Sequence, residues 1–274
     1  MSPKVSVIIP TYNRASLLPR AIDSVIGQSF QNFEVIIVDD GSTDGTADLL
    51  KSYANKSGVR VFTTSNKGVS AARNLGIGQA KADWVAFLDS DDEWLPSKLE
   101  IQNQWVKDNP SIDLVHGEEI WIRNGVRVNP MNKHQKSGGD VFSDAVRLCC
   151  ISPSTVMLKK SLFQEVGLFR EDYPVCEDYD LWLKITAHKL VGFVEDSLIK
   201  KYGGHEDQLS RKFFAMDYWR IKSLDDLLRR GNLSEEKAKV ARSELAKKAK
   251  ILLKGYRKHQ NLSQYQEIFN YLIN

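Results

Sequence analysis

Nowhere does the chain hold an apolar run approaching the ~20 residues that a bilayer-spanning helix requires, so a helical integral membrane protein is not expected. Cysteine is scarce. Cys149, Cys150 and Cys176 are odd in number, two of them adjacent, and none has the spacing of a metal knuckle. That excludes a disulfide scaffold and a zinc ribbon, and it fits thiols kept reduced in a cytoplasm. The N-terminal Met-Ser-Pro-Lys leads straight into a β-rich segment without the layout of a secretory signal. Internal repeats and low-complexity tracts are missing too, which excludes solenoids and disordered arrays. What remains is 274 residues, 42% hydrophobic and 27% charged, the make-up of a globular protein with a full core.

The net charge of +3 conceals an asymmetry. Between Arg211 and Lys258 there are 15 Lys and Arg against 6 Asp and Glu, so the rest of the chain is net acidic. A basic segment beside an acidic body suggests an anionic partner, such as a lipid surface or a phosphorylated acceptor; the plainer reading is a solvated helix face.

The first hundred residues alternate strand and helix. Val5–Pro10 is a β-rich run closed by proline, and Leu17, Leu18, Ala21, Ile22, Val25 and Ile26 then follow helical spacing. A second buried strand, Glu34–Val38, ends in Asp39-Asp40-Gly41-Ser42; a helix through Leu50 and a strand at Val59–Phe62 follow. Asn66-Lys67-Gly68 opens another helix that leads into a strand at Trp84. Short crossovers between such strands imply a mostly parallel, Rossmann-like α/β sheet with right-handed connections and flanking helices. Beyond it the pattern predicts a helix over 99–108, strands around a turn at Asn124-Gly125, a mobile loop at 129–139, a helix over 177–188 and a strand at 191–194. From about residue 211 the chain reads as all-helical. The expected division is therefore a domain of residues 1–210 and a basic helical extension of residues 211–274.

The most informative stretch is Trp84-Val85-Ala86-Phe87-Leu88-Asp89-Ser90-Asp91-Asp92, an apolar run that ends in a knot of carboxylates. In open α/β sheets ligands sit outside the carboxyl ends of the strands. The nearest basic residues in sequence, Lys81 and Lys98, lie well away, so a cation is expected in the site; a hard divalent ion with oxygen ligands fits, often carrying a substrate phosphate. The alternative is a turn in which Asp and Ser satisfy backbone groups. Pro10-Thr11-Tyr12-Asn13-Arg14 and Asp39-Asp40 occupy the equivalent places after two other strands, and Arg73 and Asn74 follow Gly68. A tyrosine can stack on a base and a carboxylate can accept from a ring N–H. Taken singly, Tyr12 could be packing, Asp40 a helix cap and Arg73 a surface cation; joint placement at successive strand ends favours ligand binding. Glu177-Asp178 heads a helix, either as acids favoured by its dipole or as a general base whose pKa a neighbouring acid raises. His205, after Gly203-Gly204, is either an ordinary histidine or a metal ligand.

In this order, Val5–Arg14, Val35–Asp44, Gly68–Asn74, Phe87–Asp92 and Glu177-Asp178 resemble family 2 of the inverting glycosyltransferases, which have the glycosyltransferase A fold. The likeness covers roughly residues 4–210. It implies a nucleotide-sugar donor, most often a UDP-sugar, with Pro10, Thr11, Tyr12 and Asp40 around the base and Arg73 beside them. It further implies Asp89 and Ser90 toward the ribose or metal, Asp91 on Mn²⁺ or Mg²⁺ at the diphosphate, and His205 as a second metal ligand. Asp178 would deprotonate the acceptor hydroxyl. The acceptor would be a saccharide or lipid-linked saccharide and no nucleic acid. The basic helices would rest on the inner membrane face or support an oligomer. Gln-x-x-Arg-Trp, the mark of polymerising members, does not follow Glu177-Asp178, so transfer of a single sugar is expected. Two other functions remain open from sequence: a nucleotidyltransferase, although Thr11–Ser16 lacks the glycines of a triphosphate loop, and a non-catalytic binding protein that keeps the fold.

Overall fold

A computed structural model describes residues 2–204, 215–260 and 262–273. The expected alternation is present. Strand β1 (Val5–Thr11) lies between β2 (Phe33–Asp39) and β4 (Trp84–Phe87), with β3 (Val59–Thr63) beyond β2, all parallel. Helices α1 (Leu18–Ile26), α2 (Thr46–Ala54) and α3 (Val69–Gln79) make the crossovers. Every residue of β1 is buried, as befits a strand with both faces covered. β1 runs one residue past Pro10 instead of stopping there. Ile8 C=O accepts from Leu88 and Thr11 C=O from Asp40, so the ring nitrogen of Pro10 points to the β4 side, where β4 has already ended opposite Ile8. The missing N–H therefore removes no ladder bond.

The sheet grows to nine strands in the order β3-β2-β1-β4-β8-β6-β9-β5. β8 (Met157–Lys159) is antiparallel to both β4 and β6 (Leu114–Arg123), and β9 (Gly192–Gly203) is parallel to β6. The carboxyl ends of β1, β2, β4, β6 and β9 consequently share one edge. Two short strands, β5 (Glu93–Trp94) and β7 (Val126–Val128), pair antiparallel with β9 and β6. Between β1 and β4 the chain reverses its direction across the sheet, which opens a crevice at the carboxyl edge.

Alternating strand residues feed two cores. Val5, Val7 and Ile9 pack with Leu18, Ile22 and Val25 of α1. On the other face Ile8, Ile36 and Val38 pack with Ala72 and Ile77 of α3 and with Trp182 and Ile185 of α7 (Glu177–Thr186). The remaining helices are α4 (Lys98–Asp108), α5 (Phe142–Arg147), α6 (Leu162–Val166), α8 (Asp217–Arg229), α9 (Glu235–Lys258) and α10 (Leu262–Ile273). A third core joins α5 and α7 to α8–α10 through Val146, Tyr179, Leu183, Ile221, Leu224 and Leu245. The side of α9 that carries Ala241, Leu245, Ala249, Leu252 and Tyr256 is buried in this core, and Ser234 caps the helix by accepting from Lys237 N at 3.3 Å. No helix among the described residues is long and apolar enough to cross a membrane.

The segment at 129–139, expected to be mobile, is anchored. Gly139 bridges to Val191, the His134 ring lies 5.2 Å from that of Trp121, and the buried Lys136 ammonium lies 2.9 Å from Glu119.

Candidate active site at the carboxyl edge

The loops after β1, β2 and β3 are tied to one another. Asn13, in the left-handed region that asparagine tolerates (φ 51°), donates its N–H to Ser42 Oγ at 2.8 Å and accepts from Thr43 N at 2.7 Å. Tyr12 beside it is 40% exposed, an aromatic face at the rim of the crevice. The Thr11 hydroxyl is buried with no protein partner, one of several such buried polar atoms. Asp40 is buried. Its carboxylate accepts from Lys67 N (2.8 Å), Gly68 N (2.7 Å) and the Thr64 hydroxyl, so it also holds the turn that starts α3. One of its roughly four lone-pair directions is left for a ligand.

The acidic loop after β4 differs from expectation in its electrostatics. Arg73, fully buried on α3, donates to Asp89 Oδ1 at 2.7 Å and to Glu177 Oε1 at 2.6 Å, with its guanidinium carbon 5.1 Å above the Phe169 ring. Arg20 donates to the Asp91 carbonyl and lies 3.6 Å above the Tyr202 ring. Lys201, half-buried on β9, donates to Ser152 Oγ at 3.0 Å; Glu119, Asp92 and Asp89 hold its ammonium charged against the pull of burial. Asp89 and Asp92 thus have the protein's own cations beside them, while Arg20 holds Asp91 through its backbone carbonyl. Ser90 is buried in the turn and Asp91 is half-buried. Asp92 is a structural pin: Ser154 Oγ donates to it at 2.6 Å and Tyr202 N at 3.0 Å. Burial, and then the nearby Asp91, push its carboxyl well above the usual range.

Glu177 and Asp178 open α7 just after Cys176, which sits in the left-handed region (φ 62°). Burial first, and then Asp178, raise Glu177 to about 7 despite Arg73. Asp178 is half-buried; its Oδ2 accepts from the Cys149 thiol at 3.1 Å and its Oδ1 from Tyr179 N at 2.7 Å. Burial, followed by Asp178, pushes the Cys149 thiol well up, so it stays protonated and donates. Arg73 is what joins the β4 acids to the α7 acids in one site. His205 lies outside the described residues.

Arg20, Cys149 and Lys201 were not anticipated as site residues. Only Lys201 had a visible signal, a second lysine in an otherwise β-compatible stretch. Among the described residues no three His, Cys, Asp or Glu converge as a ready-made metal cage. A shallow cavity of about 480 Å³, lined by Glu118, Lys136, Phe193 and Glu195 among others, contains none of the expected site residues.

Comparison with known proteins agrees with this fold. The model of the family "Glycosyl transferase family 2" matches residues 6–167. An uncharacterized glycosyltransferase of Rickettsia bellii is 38% identical over 197 residues, which are 72% of this chain and 28% of that protein. The chain thus spans about a third or less of such relatives. The Escherichia coli protein WfgD, named as a UDP-Glc:alpha-D-GlcNAc-diphosphoundecaprenol beta-1,3-glucosyltransferase, is 30% identical over 212 residues, 77% of this chain and 81% of that one. Among solved structures, Staphylococcus aureus TarS 1-349 in complex with UDP superposes with a TM-score of 0.69 at 24% identity, covering 93% of this chain and 72% of that one. The mannosyltransferase PcManGT of Pyrobaculum calidifontis, solved with GDP-Man and Mn²⁺, gives a TM-score of 0.66 at 18% identity, covering 100% and 86%. The chain belongs to glycosyl transferase family 2 and has the glycosyltransferase A fold.

Proposed function

We propose that this chain transfers one sugar from a UDP-sugar to a hydroxyl of a saccharide or lipid-linked saccharide, with inversion at the anomeric carbon. The observation that carries the proposal is the Arg73 bridge, which sets the Asp89 loop beside the helix that begins with Glu177 and Asp178. Tyr12 stacks on the base, the unpartnered Thr11 hydroxyl and Asp40 contact its edge, and Pro10 ends the strand beneath it. Asp89, with Arg73 behind it, and Ser90 face the ribose. Asp178 removes the acceptor proton as its oxygen attacks opposite the departing diphosphate, so no covalent enzyme intermediate is needed.

A divalent ion fits the donor set. Asp91 offers a hard oxygen, and Mg²⁺ or Mn²⁺ that arrives with a diphosphate needs only one or two carboxylates. The ion would neutralise the leaving diphosphate. Asp91, with His205, would hold it. The UDP and lipid-linked-acceptor assignments follow the names of TarS in complex with UDP and of WfgD.

The test is UDP release from UDP-sugars in the presence of Mn²⁺ or Mg²⁺ and a lipid-linked saccharide. Asp178→Asn should lose roughly 10²–10⁴ in kcat, the range a general base supplies. Asp91→Asn should lose the metal-dependent thermal stabilisation by UDP, which is about 2.7 kcal/mol at 100 times Kd. Full transfer by both variants would overturn the mechanism. An α-linked donor should yield a β-linked product by NMR; retained configuration would refute inversion.

A further inference from the structure

Helix α9 has two dissimilar sides. Ala241, Leu245, Ala249, Leu252, Leu253 and Tyr256 are spent in the third core. Facing outward, Lys239, Lys247, Lys250, Lys254, Arg257 and Lys258 are all exposed. At about 100° and 1.5 Å per residue these six fall within an arc of roughly 100° and span about 28 Å. The acids of α9 do not answer them. Glu235 and Glu236 sit in its first turn, where the helix dipole favours them. Glu244 bridges the buried Lys248 at 3.2 Å and reaches Lys247 at 3.6 Å. Among the described residues no carboxylate pairs with Lys239, Lys250, Lys254, Arg257 or Lys258. Ile251, 58% exposed, stands at the edge of the same arc.

Like charges fixed along one rigid face repel one another, and the packing of α9 does not require them. Their shape selects the partner. A groove for single-stranded nucleic acid would interleave aromatics for stacking, and this face has none. A protein partner would call for an apolar centre, whereas the single exposed apolar residue lies at the margin. A long, straight cationic row with one shallow aliphatic side chain matches the headgroup layer of an anionic bilayer.

We infer that the outer face of α9 rests on an anionic phospholipid surface and so brings the site to an acceptor carried in the bilayer. The acceptor clause rests on the proposed function; the surface contact does not.

The test uses the whole chain and co-sedimentation with phosphatidylcholine vesicles with and without phosphatidylglycerol. Binding is expected only with phosphatidylglycerol, and it should be lost in 1 M salt, where the screening length falls from ~10 Å to ~3 Å. At about fivefold per cation, the combined Lys250→Gln, Lys254→Gln, Arg257→Gln variant should bind about a hundredfold more weakly. Its transfer to a water-soluble acceptor should match wild type, while transfer to a vesicle-borne acceptor falls. Equal binding to neutral vesicles, undiminished binding by the triple variant, or no binding at all would overturn the inference. Tighter binding to an oligonucleotide than to the vesicles would also overturn it and reassign the face. If vesicles bind as expected but no UDP-sugar is turned over, the proposed function fails and the surface contact stands.

Discussion

Replacing Glu177 with glutamine isolates one buried charge. Its carboxyl is 8% exposed and bonded to Arg73, yet burial and Asp178 raise it from 4.5 to about 7. Between those values the folded state binds one proton more than the unfolded state, so stability falls as pH rises, by about 1.4 kcal/mol per unit. Glu177 therefore contributes fully below pH ~4.5 and loses about 3 kcal/mol by the time pH passes its folded value. Glu34, Glu93 and Asp113 are held low by their partners and act in the opposite sense, but below this window. Subtracting the variant's curve from wild type cancels them. Urea denaturation from pH 4.5 to 8.5 should show Glu177→Gln gaining about 3 kcal/mol relative to wild type, mostly between pH 5 and 7.5. A flat difference would mean that the Arg73 ion pair fully offsets burial. A difference of opposite slope would mean that the Arg73 ion pair dominates and holds the Glu177 carboxyl below its usual range.

Arg73→Met leaves Glu177 and Asp89 without their cation, which should cost about 3–5 kcal/mol. At roughly 2 °C per kcal/mol for this length, calorimetry should find Tm lowered by about 6–10 °C, and a fall under about 2 °C would refute the clamp. Cys149→Ala removes the thiol that donates to Asp178, and steady-state kinetics should show kcat reduced about tenfold with donor KM unchanged. Cys149→Ser, which keeps a donor, should stay within about threefold of wild type. Gly76→Ala gains up to about 1 kcal/mol of helix propensity but sets its Cβ 2.5 Å from Ile8 Cγ2 on the central strand, and overpacking there costs about 1–3 kcal/mol. Chemical denaturation should therefore find the variant less stable, and any gain in stability would show that β1 and α3 can separate.

Local pattern made the parallel half of the sheet readable. Strands β1, β2 and β4 are apolar runs of the right length, and their polar endings sit on the crevice because parallel strands put all their carboxyl ends on one edge. The joining of the two acidic groups was not readable. Arg73 lies 16 residues from Asp89 but 104 from Glu177, and Arg20, which holds the Asp91 carbonyl, is 71 residues from it, so no window of sequence contains either long-range contact. The same reason hid the fate of the 129–139 loop: Lys136 looks like a solvated lysine until β6 places Glu119 against it. Strand β9 was expected only over 191–194 because Glu195, Asp196, Lys200 and Lys201 break the apolar pattern. Those lysines are compatible with a strand because Lys200 pairs with Glu93 at 2.8 Å and Lys201 faces the site's acids.

The helical extension bears on the site through the residue that starts α7. A left-handed conformation at a residue with a side chain costs roughly 1–2 kcal/mol, so Cys176 needs its surroundings to hold it there. Helix α8 does this. The Cys176 thiol reaches the Met216 carbonyl at 3.7 Å, and the Arg220 guanidinium lies 5.8 Å above the Tyr179 ring. From the opposite side, the Tyr179 hydroxyl donates to the Val146 carbonyl of α5 at 2.6 Å. The first turn of α7 is thus clamped between α5 and α8, and its direction sets where Glu177 meets Arg73 and where Asp178 meets Cys149. Helix α9 backs α5 in turn, its Lys248 donating to the Arg147 carbonyl at 2.9 Å. The inner side of the extension therefore helps to fix the geometry of the site, and only its outer side is left to meet anything else.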